Sequence, residues 1–253
     1  MKIIILVSLT TLLSVSCKTD KKSDIETFAP KEDHQLRQVS KATITPTIDG
    51  IPDDPAWEES DWYSLDQRWL GNEYSTDDFS GRYKLTWTPE AIYLLAEIQD
   101  DILYDKEKDP LTLWWDDDCL EIFIDADNSG GGHQFTHNAF AYHLALDGNV
   151  VDLAPGEIPT LYNSHINSER KTVGNTTIWE CEIIIYDDTY IDGGVNDQKI
   201  LAASQKLGFA LAYCDNDASP ERENFIGSVA VDGKDKNRGW IDAGIFGTIE
   251  LVE

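Results

Sequence analysis

"LWWDDDCLEIFID", residues 113–125, sets two tryptophans against three aspartates and then runs into a stretch of strand character carrying one glutamate. Alternate residues of a strand face opposite sides. From Cys119 to Asp125, Leu120, Ile122 and Ile124 therefore point one way, and Glu121 and Phe123 the other. A large aromatic in phase with Glu121 argues that this second face is covered or forms a cleft. Trp115 and Asp117 share the phase of Glu121 if the chain stays extended. Neighbouring tryptophans cannot both face the same side, so the reading leaves Trp115 available and buries Trp114.

The next strand-like run, "AFAYHLALD", residues 139–147, repeats the pattern. Phe140, Tyr142, Leu144 and Leu146 make an apolar face, opposite Ala139, Ala141, His143 and Ala145. A histidine flanked by alanines leaves space above the sheet beside a polar group, which is what a ligand needs. Working outward, "RYKLTW" and "AIYLLAEI" flank Thr88-Pro89-Glu90 as a hairpin, and "VVDL" follows "AFAYHLAL" through Asp147-Gly148-Asn149. "TIWECEIIIY", "LGFALAYC" and "GTIELV" complete the set. Short strands at this spacing, without long helical periodicity, predict an all-β fold: one antiparallel, jelly-roll-like β-sandwich with minor short helices. One such helix is expected near Gln198–Lys206. Trp57, Trp87 and Trp179 read as core, while Trp62 and Trp69 fit either core or surface.

The N-terminus reads as an export signal. Lys2 precedes the apolar run Ile3–Val15, and Ser16 precedes Cys17. A run this short does not span a bilayer as a permanent helix. Its end at Cys17 resembles a bacterial lipobox, so residues 1–16 are expected to be a signal peptide and Cys17 the lipidated residue. Polar residues 17–40 then form a flexible tether, and residues 41–253 form the domain. The expected location is the bacterial cell envelope, periplasmic or surface-exposed, with membrane contact through the lipid anchor alone. A net charge of −27 repels nucleic acid and anionic lipid. Beyond Cys17 only Cys119, Cys181 and Cys214 remain, an odd number without zinc spacing or a disulfide framework.

Four blocks, in order, resemble the family 9 carbohydrate-binding modules and related sugar-binding lipoproteins. They are "TIDGIPDDPAWEES" (47–60), "AIYLLAEIQDDIL" (91–103), "WDDDCLEIFID" (115–125) and "KNRGWIDAGIFGTIELVE" (236–253). The resemblance implies non-catalytic binding of one terminal sugar ring between two tryptophans, with polar side chains reading its hydroxyls. It places the tryptophans on Trp115 and Trp240, and the polar readers on Glu121 and Asn237. The family's arginine and asparagine have no clear counterpart between Asp125 and Asp147, where no arginine occurs. Two registers compete there, "HQFTHN" offering Gln134 and Asn138, and "AYHLA" offering His143. The resemblance further implies a role in carbohydrate uptake or catabolism beside a partner hydrolase or transporter.

Acidic clusters suggest a structural Ca²⁺. "DADNSGGG" (125–132) alternates oxygen ligands before glycines, making Asp125 and Asp127 candidates, and the corner Gln99-Asp100-Asp101 offers Asp100. Two other function classes remain open. A glycoside hydrolase would use a carboxylate pair such as Asp117 and Glu121. A haem-binding electron-transfer sandwich would need two ligands from His133, His137 and His143, since Met1 is the only methionine.

Overall fold

The computed structural model describes residues 31–134 and 136–253. The expected signal peptide, Cys17 and the first part of the tether lie outside the described residues. Two β-sheets stack face to face. The larger runs β1 (Arg37–Ser40), β14 (Gly247–Val252), β12 (Lys206–Asp215), β6 (Cys119–Asp125), β7 (Phe140–Ala145), β8 (Val150–Ala154) and β9 (Ile158–Leu161), in that spatial order. At the end of β12, β13 (Asn224–Gly227) adds on and carries β3 (Gln67–Leu70). The smaller sheet is β10 (Ile166–Val173), β11 (Thr176–Ile183), β5 (Ile92–Asp100), β4 (Phe79–Trp87) and β2 (Tyr63–Leu65). The all-β sandwich expected from the sequence is the fold observed, antiparallel except where β1 pairs in parallel with β14.

That parallel pair moves the start of the domain. Residues 37–40, expected in the tether, are a strand, and the Arg37 guanidinium bonds Tyr83 Oη and the Ser228 carbonyl. The tether of 17–40 is therefore shorter than its composition suggests. The expected helix near Gln198–Lys206 is absent: residues 198–205 are turns and irregular chain before β12, anchored by Lys199 N to Ile185 O and Leu201 N to Pro89 O. Among the described residues, the α-helix is Pro55–Glu58, with Pro55 opening it.

The alternation read on the central strands holds. Leu120, Ile122 and Ile124 of β6, Phe140, Tyr142 and Leu144 of β7, and Leu207, Phe209, Leu211 and Tyr213 of β12 are buried between the sheets with Trp87 and Trp179. Burial of this apolar surface is the principal stabilising contribution. Trp57 is buried on the outer face of the smaller sheet beside Tyr93 and Leu95. Trp69 resolves to core. It lies over Gly227, where a Cβ would meet its ring at 2.1 Å, and Nε1 donates to the Val229 carbonyl at 2.8 Å. Trp62 resolves to surface, under the Arg82 guanidinium at 4.0 Å.

The outer face of the larger sheet carries a second apolar cluster. Cys119, Phe123, Ala141, Ala210, Ala212 and Cys214 pack there against Trp69, Phe225, Val229, Ile245 and Phe246. This cluster covers the β12 end of the face and leaves the rest open.

Candidate ligand-binding site

The open part is a cleft of about 660 Å³. Its floor is the outward face of β6 and β7, giving Glu121, Ala141 and His143, the last two on the alanine-rich side that leaves room. Three irregular segments form its walls. Residues 111–115 supply Leu111, Thr112, Leu113, Trp114 and Trp115; the β12–β13 connection supplies Arg222; residues 237–240 supply Asn237 and Trp240. Gln134, and Asp152, Leu153, Glu157 and Pro159 around the β8–β9 hairpin, complete the lining.

Of the seven ligand-binding residues expected from the sequence, Trp115, Trp240, Glu121, Asn237, His143 and Gln134 line this one cleft. Both competing registers contribute, since Gln134 and His143 reach it from different segments. Asn138 does not line it: its Nδ2 donates to the Gly130 carbonyl at 2.8 Å and closes the 130–138 loop. Trp115 and Trp240 are partly exposed, at 37% and 41%. Trp115 reaches the cleft by a route different from the expected phase. Residues 110–118 form turns, with Leu113 at φ 49°, so strand parity does not extend back from Cys119. Trp114, expected in the core, is buried as a wall of the cleft, its ring edge-on to Trp115 at 4.8 Å between centroids.

Trp240 is positioned through Gly239. A Cβ at Gly239 would meet the Phe123 ring at 2.9 Å, and the Gly239 carbonyl lies 2.7 Å from His133 Nε2. The close approach seats residues 237–240 on the apolar cluster and turns Trp240 outward.

At the floor, Glu121 is buried between an imidazole and a guanidinium, 3.3 Å from His143 Nε2 and 4.0 Å from Arg222 Nη1. The same Nη1 lies 3.1 Å from Cys214 Sγ, and Nη2 donates to Asn237 Oδ1 at 3.2 Å. Burial works against charge on His143, but the Glu121 carboxylate outweighs it and raises the imidazole above its ordinary value. Burial also opposes ionisation of Cys214, yet a hydrogen bond from Cys119, its cross-strand partner, and the Arg222 guanidinium bring it down to about 7. Desolvation pushes half-buried Asp152 up to about 7. His143 Nδ1 and Trp114 Nε1 are buried without a hydrogen-bond partner among the described residues.

Arg222 is the residue that sequence reasoning missed. A cation was sought on the strand after Asp125; the fold brings one from more than eighty positions downstream, through a loop pinned by Arg222 N to Asp116 Oδ1 at 3.2 Å and Asn216 N to Asp118 Oδ1 at 2.8 Å. The aspartates of 116–118 thus organise loops. Asp117 accepts from the amides of Lys106 and Glu107 at 2.9 and 2.8 Å, so it forms no pair with Glu121 facing a substrate. The three histidines weighed as haem ligands are also separated in role. His133 is held by Gly239, His137 by Asp192 at 2.9 Å, and only His143 lines the cleft.

The metal candidates divide. Asp125 accepts from Gly130 N at 2.7 Å and Asp127 N at 3.3 Å and faces the Lys31 ammonium, while Asp127 caps Ser129 N. These hydrogen bonds close the loop on itself, and the two carboxylates gather no third ligand group among the described residues. Asp100 instead converges with Asp118 and Asp215, with carboxylate oxygens within 4.8 Å of one another. Desolvation and mutual repulsion push Asp118 up to about 9 and Asp215 up to about 8. A second group, Asp78, Asp101 and Asp217, lies alongside, and Asp217 Oδ1 is buried without a partner among the described residues. The orphaned oxygen belongs to this second group, and both groups are all-oxygen donor sets of the kind a hard divalent cation takes.

The fold is shared with solved carbohydrate-binding structures. A family 9 carbohydrate-binding module from Caldicellulosiruptor kristjanssonii in complex with cellotriose aligns with TM-score 0.63 and 19% identity, over 86% of this chain and 93% of that one. The same organism's family 9 module in complex with glucose aligns with TM-score 0.62 and 19% identity, over 85% and 95%. A third structure, from Bacteroides uniformis, gives 0.55 and 11% identity, over 88% and 100%. No curated protein matches the chain. The model of the carbohydrate family 9 binding domain-like family matches residues 48–253, which is most of the chain, and the protein belongs to that family.

Proposed function

We propose that the cleft binds a carbohydrate without transforming it, holding one sugar ring between Trp115 and Trp240. The observation that carries this reading is the convergence of two partly exposed tryptophans with Glu121, Asn237, Gln134, His143 and Arg222 in one cleft. The C–H face of a pyranose stacks on an indole, and carboxylate, amide and guanidinium groups bond its hydroxyls. His143 Nδ1 and Trp114 Nε1, both without partners among the described residues, are further groups for hydroxyls to satisfy. The glucose and cellotriose held by the structural relatives make β-glucans the first ligands to try.

Calorimetric titration with glucose, cellobiose and cellotriose, backed by a glycan array, tests the reading. Saturable binding that Trp115→Ala and Trp240→Ala both weaken supports it. Undiminished binding by the folded variants refutes the slot. Incubation with the same oligosaccharides, followed by product analysis, tests the absence of catalysis.

The reading extends to three expectations. Asp100, Asp118 and Asp215 hold a structural Ca²⁺ that neutralises their charge. Cys17 carries a lipid anchoring the chain in the cell envelope. The module thereby keeps carbohydrate near a hydrolase or transporter that consumes it.

A further inference from the structure

The sugar slot does not account for the whole cleft. Arg222 marks one end, against Cys214 on β12; Pro159 on β9 marks the other. Between them the sheet order is β12, β6, β7, β8, β9, four steps of about 4.8 Å, or roughly 19 Å. The groups able to read hydroxyls are concentrated from β12 to β7. Past His143 the character changes. Leu153 and Pro159, paired across β8 and β9, line the cleft together with Leu111 and Leu113 from the segment leading into the tryptophans.

We propose that the natural ligand is a sugar bearing a neutral apolar substituent, an aryl or acyl group, which lies on Leu111, Leu113, Leu153 and Pro159 beside the sugar slot. This rests on the carbohydrate reading above. A second sugar ring fits this part of the cleft less well than an apolar group, because four aliphatic side chains would strip water from the hydroxyls lying on them, leaving only Thr112, Asp152 and Glu157 at the margin to bond the rest. An aromatic or acyl group loses nothing there and gains by burial. Leu113 adds a second observation. It is 40% exposed at φ 49°, a conformation that costs a non-glycine residue, so the chain is held where it presents a leucine to solvent at the cleft's edge. Charge selects against an anionic substituent: Glu157 and Asp152 flank the shelf, and the whole chain carries −27.

The test compares matched probes by calorimetry on the full domain. Phenyl β-D-glucopyranoside is set against methyl β-D-glucopyranoside, and 6-O-benzoyl glucose against glucose, so that substituents at either end of the ring are sampled. Cellobiose is the hydrophilic extension. The expected result is at least a ten-fold tighter Kd for one aryl-bearing probe over its parent, exceeding any gain from cellobiose. In Leu113→Ser and Leu153→Thr that ratio falls below about three. Circular dichroism checks the fold of both variants, and Leu113→Ser, at an exposed position, guards against collapse of Leu153→Thr. Equal binding of aryl probes and parents, a larger gain from cellobiose, or a ratio insensitive to both leucines overturns the inference while leaving the sugar slot standing. If no probe or parent binds, the carbohydrate reading falls and this inference with it.

Discussion

Glu121 Oε2 lies 3.3 Å from His143 Nε2, a buried carboxylate–imidazole contact whose carboxylate also faces Arg222 at 4.0 Å. Burying a charge is unfavourable unless it is paired, so neither partner is removable without consequence. Because the folded imidazole sits above its ordinary value of 6.5, its stabilising contribution is complete below about that pH and is lost as pH rises through the folded value. Glu121→Gln removes the group that raises it and leaves burial, which lowers it. The expected outcome is a downward move of the His143 titration, followed by imidazole NMR shifts, with weaker glucan binding. An unmoved titration would contradict the pairing.

Trp115→Ala and Trp240→Ala should each weaken sugar binding by about 1–3 kcal/mol, roughly five- to 150-fold. Trp114→Ala is expected to do more than destabilise. Its ring braces Trp115 edge-on and lines the cleft, so both the thermal midpoint and the affinity of the folded fraction should fall. Calorimetry on variants of verified fold separates the two effects.

The Ca²⁺ proposed at Asp100, Asp118 and Asp215 predicts a calcium-dependent stability. Carboxyls raised to about 9 and about 8 bind protons more tightly in the folded state, so without a cation stability declines as pH climbs from near 4 toward 9. At the proposed site Ca²⁺ would replace those protons. Its stabilisation, read as a shift in Tm after chelator treatment and re-addition, should be larger at pH 8.5 than at pH 5. Asp118→Asn should abolish the difference, whereas Asp125→Asn should not.

Replacing Cys17 with Ser is expected to move the protein from the membrane fraction to the soluble one. Fractionation followed by immunoblotting reads the outcome, and unchanged membrane association would rule out acylation at that position.

Strand parity made much of this molecule legible. The alternation in 119–125 and 139–146 located both faces of the central strands, and the alanines around His143 announced the space that became the cleft. What parity could not reach was set by irregular chain. Trp115 and Trp114 sit on turns where no period applies, and both end at the cleft. Arg222 arrives through a loop whose course depends on Asp116 and Asp118 accepting from distant amides, a long-range arrangement that leaves no local pattern. Asp125 and Asp127 looked like cation ligands because turn-forming aspartates and calcium-binding aspartates share a composition. What tells the sets apart is a third carboxylate, since Asp100, Asp118 and Asp215 converge while Asp125 and Asp127 gather none among the described residues.

The parallel pairing of β1 with β14 fixes a direction for the whole molecule. β1 is the first strand of the larger sheet and β9 the last, six spacings or roughly 29 Å away. Lys31, however, lies back over the ends of β12 and β6, beside Gly208, Gly130 and Asp125, so the described chain begins three to four strand spacings from β9, where the apolar end of the cleft opens. A bulky ligand entering at β9 would therefore meet the cleft roughly 14–19 Å from the point where the described chain begins.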